Sequence, residues 1–120
     1  MFPRTRMRRS RRTEGLRFLA QETVLSPADF IILIGELMGD KLNWSCEWNQ
    51  ADEVFKLWTD NALAFLNKIR HCRPAVIGKA FDKASRKDAR LCLGNLKAVE
   101  PEWRKFVDKD NCLQVWVDGY

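Results

Sequence analysis

The stretch Lys41-Leu-Asn-Trp-Ser-Cys-Glu-Trp48 (KLNWSCEW, residues 41–48) decides the fold class. Apolar and polar residues alternate strictly over its eight positions. Because successive side chains of a strand point to opposite faces of a sheet, this alternation predicts a half-buried β-strand. The apolar face of that strand would consist of Leu42, Trp44, Cys46 and Trp48.

Immediately after this strand, the apolar residues change to helical spacing. Asn49 and Asp52 suit a helix cap, and six apolar residues then follow at intervals typical of a helix. The six are Phe55, Trp58, Ala62, Phe65, Leu66 and Ile69. The spacing predicts a helix over residues 50–71 at the centre of the core. Pro74 ends it, because the residue before a proline avoids the helical conformation.

Towards the N-terminus, a second helix start is visible. Ser26 suits an N-cap, Pro27 the first helical position and Asp29 the first turn. We expect this helix to run to about Met38, with Gly39 as its stop. Because Phe30–Ile34 is rich in β-branched residues, a buried strand is the alternative there.

The C-terminal third predicts two helices and a strand. A long helix is expected over residues 75–93 with Gly94-Asn95 as its stop, followed by a short helix through Trp103 and Phe106. Apolar residues alternate again over 113–117, which predicts a second strand. Since two strands alone are marginal in water, they would pair with each other or with Phe30–Ile34 under the helices.

These elements together predict an α+β fold. We expect a small, helix-rich single domain with a two- or three-stranded sheet over residues 26–120, preceded by a basic arm over residues 1–25. The composition, 46% hydrophobic and 31% charged, is that of a globular chain rather than a disordered one. No segment is apolar enough over a sufficient length to suggest a membrane span.

Charge is concentrated at the start of the chain. Six arginines occupy nine positions between residues 4 and 12, and residues 1–30 carry a net charge of +4, with seven Arg against three acidic side chains. Residues 31–120 hold 14 basic and 13 acidic side chains, a net charge of +1. The arm is therefore the basic part of an otherwise nearly neutral chain.

The arm strongly resembles the N-terminal arm of the porphobilinogen synthase (5-aminolevulinate dehydratase) family. The stretch RMRRSRRTEGLRFLAQETVLSPADFI, residues 6–31, carries the resemblance through three short motifs in the family's order. The matching residues are Arg6, Arg8, Arg9, Arg11 and Arg12, then Gly15, Leu16, Arg17 and Leu19, then Glu22, Thr23, Leu25, Ser26, Asp29, Phe30 and Ile31. The likeness covers about residues 3–31, a quarter of the chain.

The resemblance implies a docking role rather than catalysis. In that family the arm reaches around a neighbouring subunit and helps to set the oligomeric state. It implies partner contacts by five arginines and an apolar anchor formed by two leucines. These residues are Arg6, Arg8, Arg9, Arg11, Arg12, Leu16 and Leu19. The implied partner is a protein with an acidic surface, and the synthase's own subunits are a candidate.

Downstream of Ile31 the chain departs from the family. The first barrel strand, the contexts of the two Schiff-base lysines and the cysteine-rich zinc segment are all missing. A (β/α)8 barrel needs at least about 200 residues, which 120 residues cannot supply. We therefore expect no catalytic residue, metal site or cofactor, and a chimeric origin by fusion, truncation or frame change near Ile31. The alternative is an inactive fragment or relative of the synthase in tetrapyrrole synthesis, where two 5-aminolevulinate molecules condense.

A nucleic-acid-binding role is a further alternative. Beside the arm, five basic residues at spacings i, i+4, i+7, i+8 and i+11 would share one face of the helix predicted over 75–93. These candidate nucleic-acid contacts are Lys79, Lys83, Arg86, Lys87 and Arg90. The same pattern is also typical of a solvated helix face.

Other features carry weaker functional signals. His71 and Cys72 are adjacent, but neighbouring helical residues point about 100° apart, so a catalytic dyad is not expected. The four cysteines lack metal-ligand spacing, and we expect reduced, mostly buried thiols. This suggests a cytoplasmic protein, or a mitochondrial or plastid one if the arginine-rich start is a transit peptide.

Overall fold

The computed structural model describes residues 25–118, so the basic arm lies almost wholly outside the described residues. Within that range the order of elements is α1 Pro27–Met38, β1 Trp44–Asn49, β2 Val54–Thr59, α2 Ala62–His71, α3 Pro74–Ile77, a 3₁₀ turn at Gly78–Ala80, α4 Lys83–Arg104 and β3 Leu113–Asp118. The α+β class predicted from the sequence is confirmed, and the three strands form an open antiparallel sheet rather than a barrel.

The first helix is set by its caps. The Ser26 side chain accepts a hydrogen bond from the Asp29 N–H at 3.1 Å, and Pro27 occupies the first turn. The helix ends at Gly39, whose φ of 71° suits a residue without Cβ. The β-branched run therefore lies in a helix, not in a strand, and α1 buries Phe30, Leu33, Ile34, Leu37 and Met38.

The sheet has β2 at its centre. β1 pairs with β2, with Cys46 opposite Leu57, and β2 pairs with β3, with Leu57 opposite Val115. The strands predicted over residues 41–48 and 113–117 are confirmed as β1 and β3, although β1 begins only at Trp44. Their expected pairing is wrong, because both flank β2 instead of meeting each other. One sheet face contributes Cys46, Phe55, Leu57, Leu113, Val115 and Val117 to the core beneath the helices.

The helix predicted over residues 50–71 is wrong in its first half. Asn49 and Asp52 form a turn, in which Asn49 Oδ1 accepts from the Asp52 N–H at 3.1 Å, and Glu53 adopts a φ of 54°. The chain then returns as β2. Apolar residues occur on both faces of β2, so its period of two is hidden, and the three-residue interval from Phe55 to Trp58 resembles helical spacing.

A distant asparagine supplies the start of α2. Asn111 holds a left-handed φ of 61°, its backbone carbonyl accepts from the Ala62 N–H at 2.9 Å, and its Oδ1 accepts from the Leu63 N–H at 2.9 Å. Two N–H groups of the first turn are thereby satisfied from a residue 48 or more positions away. The helix thus begins where the tertiary structure brings Asn111, not at a local cap.

The long helix predicted over residues 75–93 is also divided differently. Its first part is the short α3 and the 3₁₀ turn, and α4 begins only at Lys83, where Asp82 Oδ1 accepts from the Ser85 N–H at 2.9 Å. Gly94 does not end α4, because the buried stripe continues past it. That stripe consists of Ala89, Cys92, Leu93, Leu96, Glu100 and Trp103. Pro101 lies within α4, which therefore includes Trp103 from the predicted short helix.

A buried carboxylate joins α4 to α2. The Glu100 side chain is 2% exposed and accepts from Arg70 Nε at 2.9 Å and Arg70 Nη2 at 3.2 Å, and from Arg104 Nε at 2.7 Å. Arg104 Nη2 also donates to Asn67 Oδ1 at 3.0 Å. Both arginines are only partly buried, so they retain contact with water while they compensate the buried charge. We call this group the Glu100 clamp.

Replacement of Gly94 by Ala tests its position inside α4. A Cβ at residue 94 would meet nothing within 4 Å, and alanine is favoured over glycine within a helix. We expect Gly94→Ala to raise the free energy of unfolding by about 0.5–1 kcal/mol, measured by urea denaturation. A lower free energy of unfolding would indicate instead that residue 94 ends the helix in a left-handed conformation.

Replacement of Glu100 by Gln tests the clamp. The neutral amide cannot accept hydrogen bonds through both terminal atoms, so we expect the free energy of unfolding to fall by about 1–3 kcal/mol. Asp88→Asn is the matched control on the same helix, because no described residue pairs with Asp88, and it should change stability by less than about 0.5 kcal/mol. Equal effects of the two substitutions would contradict the clamp's role.

Candidate functional site

The candidate site is the first half of α4 together with the turn that precedes it. Buried Phe81, at 6% exposure, anchors the chain just before the helix, and Ala89, Cys92 and Leu93 hold its inner side in the core. The opposite side therefore faces outward. It carries Lys83, Arg86, Lys87 and Arg90, and we call these four residues, together with Lys79, the basic face.

Four members of the basic face line an open depression of about 440 Å³. They are Lys83, Arg86, Lys87 and Arg90, and the fifth lining residue is Leu91, which is 41% exposed. Leu91 was not singled out from the sequence, although its i+4 relation to Lys87 and i+8 relation to Lys83 place it on the same side of a helix. The depression thus combines cations with one apolar side chain.

A smaller notch continues the basic face. It has a volume of about 180 Å³ and is lined by Ala75, Lys79, Arg86 and Arg90, so it shares two arginines with the larger depression. All five basic residues predicted to share a face are therefore brought together. The cause differs from the prediction, since Lys79 reaches the others from the 3₁₀ turn and not from a common helix.

The charges of the described residues are segregated along the chain. Residues 25–118 carry 14 basic and 14 acidic side chains and are neutral overall. Residues 62–97 hold nine basic and two acidic side chains, a net charge of +7, whereas residues 25–61 hold two basic and seven acidic ones, a net charge of −5. A neutral domain thus concentrates its cations on the helices α2 to α4.

Four of the five members of the basic face have no acidic partner within the described part of the chain. Neither Asp82 nor Asp88 lines the two depressions. Between residues 25 and 118, no carboxylate lies within 4.0 Å of the charged groups of Lys79, Lys83, Lys87 or Arg90. Arg86 differs, because its Nη2 donates to the Phe81 carbonyl at 3.2 Å, which orients the guanidinium.

A separate depression of about 290 Å³ lies where α1, α2 and α3 meet. It is lined by Glu36, Leu37, Lys68, His71, Cys72, Val76 and Ile77. In this part of the structure no hydrogen bond joins His71 to Cys72, whose Sγ instead lies 3.6 Å from the Arg73 carbonyl. Burial raises the pKa of Cys72, and nearby Lys97 offsets part of that effect. The thiol is therefore poorly suited to act as a nucleophile at neutral pH.

The other cysteines are free thiols as well. Burial raises the pKa of Cys92 to about 12, and burial together with the Glu47 carboxylate raises that of Cys46 to about 12. Cys112 is half-buried. Across residues 25–118, no group of three or more His, Cys, Asp or Glu side chains is placed to hold a metal ion.

The predicted partner contacts of the basic arm lie outside the described residues and stay predictions. They are Arg6, Arg8, Arg9, Arg11, Arg12, Leu16 and Leu19. None of the four helices between residues 25 and 118 combines the length and apolar character that spanning a bilayer requires.

Comparisons of the chain with protein families, with curated proteins and with solved structures found no match in any of the three.

Thiol labelling tests this arrangement of the cysteines. We expect an aromatic disulfide reagent at mildly alkaline pH to modify Cys72 and Cys112 in the folded protein, because both are partly exposed. Cys46 and Cys92 should react only after unfolding in urea. Cys72→Ser should remove one of the fast-reacting thiols. Four thiols of equal rate in the folded protein would contradict the burial of Cys46 and Cys92.

Proposed function

We propose that the chain is a non-catalytic interaction module that binds an acidic protein partner through the basic face. One observation carries the proposal: cations from α4 and the preceding turn line an open depression, and none of the lining residues from the range 25–118 is acidic. Ion pairs across such a face steer association and select partners of opposite charge. The partner's acidic groups would give Lys83, Lys87 and Arg90 the kind of ion pair that Arg70 and Arg104 already make internally with Glu100.

The composition of the depression favours a protein partner over a nucleic acid. Leu91 offers an apolar contact beside the cations, which suits an acidic segment that also carries apolar side chains. Single-stranded nucleic acids are usually held by aromatic platforms next to basic groups, and among residues 25–118 no aromatic side chain lines either depression of the basic face. Nucleic-acid binding by the same cations is the competing outcome of the test below.

The arginine-rich arm supplies a second contact in this proposal. Its resemblance to the arm of porphobilinogen synthase makes a subunit of that enzyme a candidate partner. The resemblance also suggests an inactive relative of the synthase. Porphobilinogen formed from 5-aminolevulinate by the purified chain alone would contradict the non-catalytic proposal.

The proposal places the module in the cytoplasm. All four cysteines are free thiols in the fold, which suits a reducing compartment.

Charge reversal on the basic face tests the proposal. The full chain would be titrated against a labelled peptide of alternating glutamate and leucine, and against duplex DNA, over a range of salt concentrations. We expect the double variant Lys83→Glu, Lys87→Glu to weaken peptide binding at least about tenfold, equivalent to about 1.4 kcal/mol. Lys56→Glu, Lys109→Glu is the matched control, since both lysines are exposed, lie outside the basic face and give the same change in net charge.

The control variant should bind the peptide within about twofold of the wild type, because only local charges act across a surface screened by salt. Equal weakening by both double variants would mean that net charge alone drives binding, and would contradict the proposal. So would duplex DNA binding that is tighter than peptide binding and falls steeply with log salt.

A further inference from the structure

The notch beside the main depression has the features of an oxyanion site. Its lining comes from three elements: Ala75 from α3, Lys79 from the 3₁₀ turn, and Arg86 with Arg90 from successive turns of α4. Its volume of about 180 Å³ exceeds the roughly 30 Å³ that one water occupies in the liquid. The small Ala75 side chain helps to leave this space open. A tetrahedral oxyanion with part of its hydration therefore has room there.

The donors around the notch are partly organised in advance. The bond from Arg86 Nη2 to the Phe81 carbonyl, 3.2 Å long, anchors that guanidinium at the edge of the space. The side chains of Lys79 and Arg90 make no hydrogen bond or ion pair to another residue between 25 and 118. The backbone N–H groups at the N-terminus of α4 are not the proposed anion donors, because Asp82 Oδ1 already accepts from the Ser85 N–H there. The notch thus depends on side-chain cations.

The number of cations indicates the class of anion. One guanidinium is enough to hold a carboxylate by two parallel hydrogen bonds. The described lining contains no acidic residue, and two of its cations, Lys79 and Arg90, have no ion pair between residues 25 and 118, so the notch already exceeds that requirement. A phosphoryl group carries a charge of about −1.5 to −2 at neutral pH and three strong acceptor oxygens. It therefore matches the charge and the spread of donors better than a carboxylate does.

We propose that the notch binds a phosphoryl group on a side chain of the acidic partner, while the neighbouring depression receives the residues next to it. This inference deepens the proposed function and rests on it for the protein nature of the carrier. Arg86 and Arg90 line both spaces, so they link recognition of the phosphoryl group to recognition of the acidic segment. Phosphorylation of the partner would then strengthen the complex.

The experiment compares two versions of the glutamate–leucine peptide with the full chain. One carries a central serine and the other a phosphoserine at the same position. We expect the wild type to bind the phosphopeptide at least about tenfold more tightly, which corresponds to about 1.4 kcal/mol. Arg90→Gln removes one donor and one charge, whereas Ala75→Leu fills the notch without a change of charge. Both should reduce this ratio to about twofold or less.

The matched control is Arg73→Gln. Arg73 is exposed next to α3 but does not line the notch, so this variant should keep the wild-type ratio. Inorganic phosphate should displace the phosphopeptide in preference to the unphosphorylated one. Circular dichroism and urea denaturation would verify that each variant is folded. If Ala75→Leu does not fold, Arg90→Gln still tests the notch.

Several outcomes would overturn the inference. A wild-type ratio near one would do so, even if inorganic phosphate alone binds. A tenfold ratio that persists in both Arg90→Gln and Ala75→Leu would locate phosphoryl recognition elsewhere. A different result would contradict the proposed function. That result is equal affinity of the Lys83→Glu, Lys87→Glu variant and the Lys56→Glu, Lys109→Glu variant for the unphosphorylated peptide.

Discussion

The position of the basic face depends on how a single buried carboxylate is compensated. Glu100 lies in the contact between α2 and α4, and the Arg70 and Arg104 guanidiniums bind both of its oxygens. A buried charge without these partners would be costly, so the contact favours one arrangement of the two helices. Lys97 adds a contact of 3.4 Å to the Arg70 carbonyl near the end of α2. The buried side of α4 continues through Leu93, Cys92 and Ala89, so the opposite side of its first half faces solvent.

The segregation of charge follows from the same arrangement. Basic residues in the second half of α4 are used internally, because Arg104 and Lys97 bind groups of α2 or of α4 itself. Lys83, Lys87 and Arg90 in the first half have no carboxylate within 4.0 Å among residues 25–118, while seven of the 14 acidic side chains of that range lie before α2. A domain of zero net charge can therefore present a strongly cationic surface. For this reason net charge alone is a poor guide to partner choice here.

Local signals predicted those parts of the fold in which one short-range interaction dominates. The Ser26 cap, Pro27 and Gly39 bound α1 correctly, and strict alternation identified β1 and β3. The prediction failed at β2, because Val54 and Trp58 make its outer face apolar as well, and at α4, because Gly94 lies on the exposed side, where it does not interrupt the buried stripe. The basic face was predicted as a set of five residues. The notch was not, since it requires the 3₁₀ turn to bring Lys79 next to Arg86 and Arg90.

The sequence by itself determined the α+β class, the caps of α1, two of the three strands and the identities of the clustered cations. These depend on contacts between residues a few positions apart, whose strength is nearly independent of the rest of the chain. Only the tertiary structure decided that residues 54–59 form the central strand, that Asn111 starts α2 and that Glu100 joins two helices. Each of these needs partners 30 or more residues away, or strands on both sides of the segment. Such partners leave no periodic trace in the sequence, because burial and pairing at a distance depend on the whole fold.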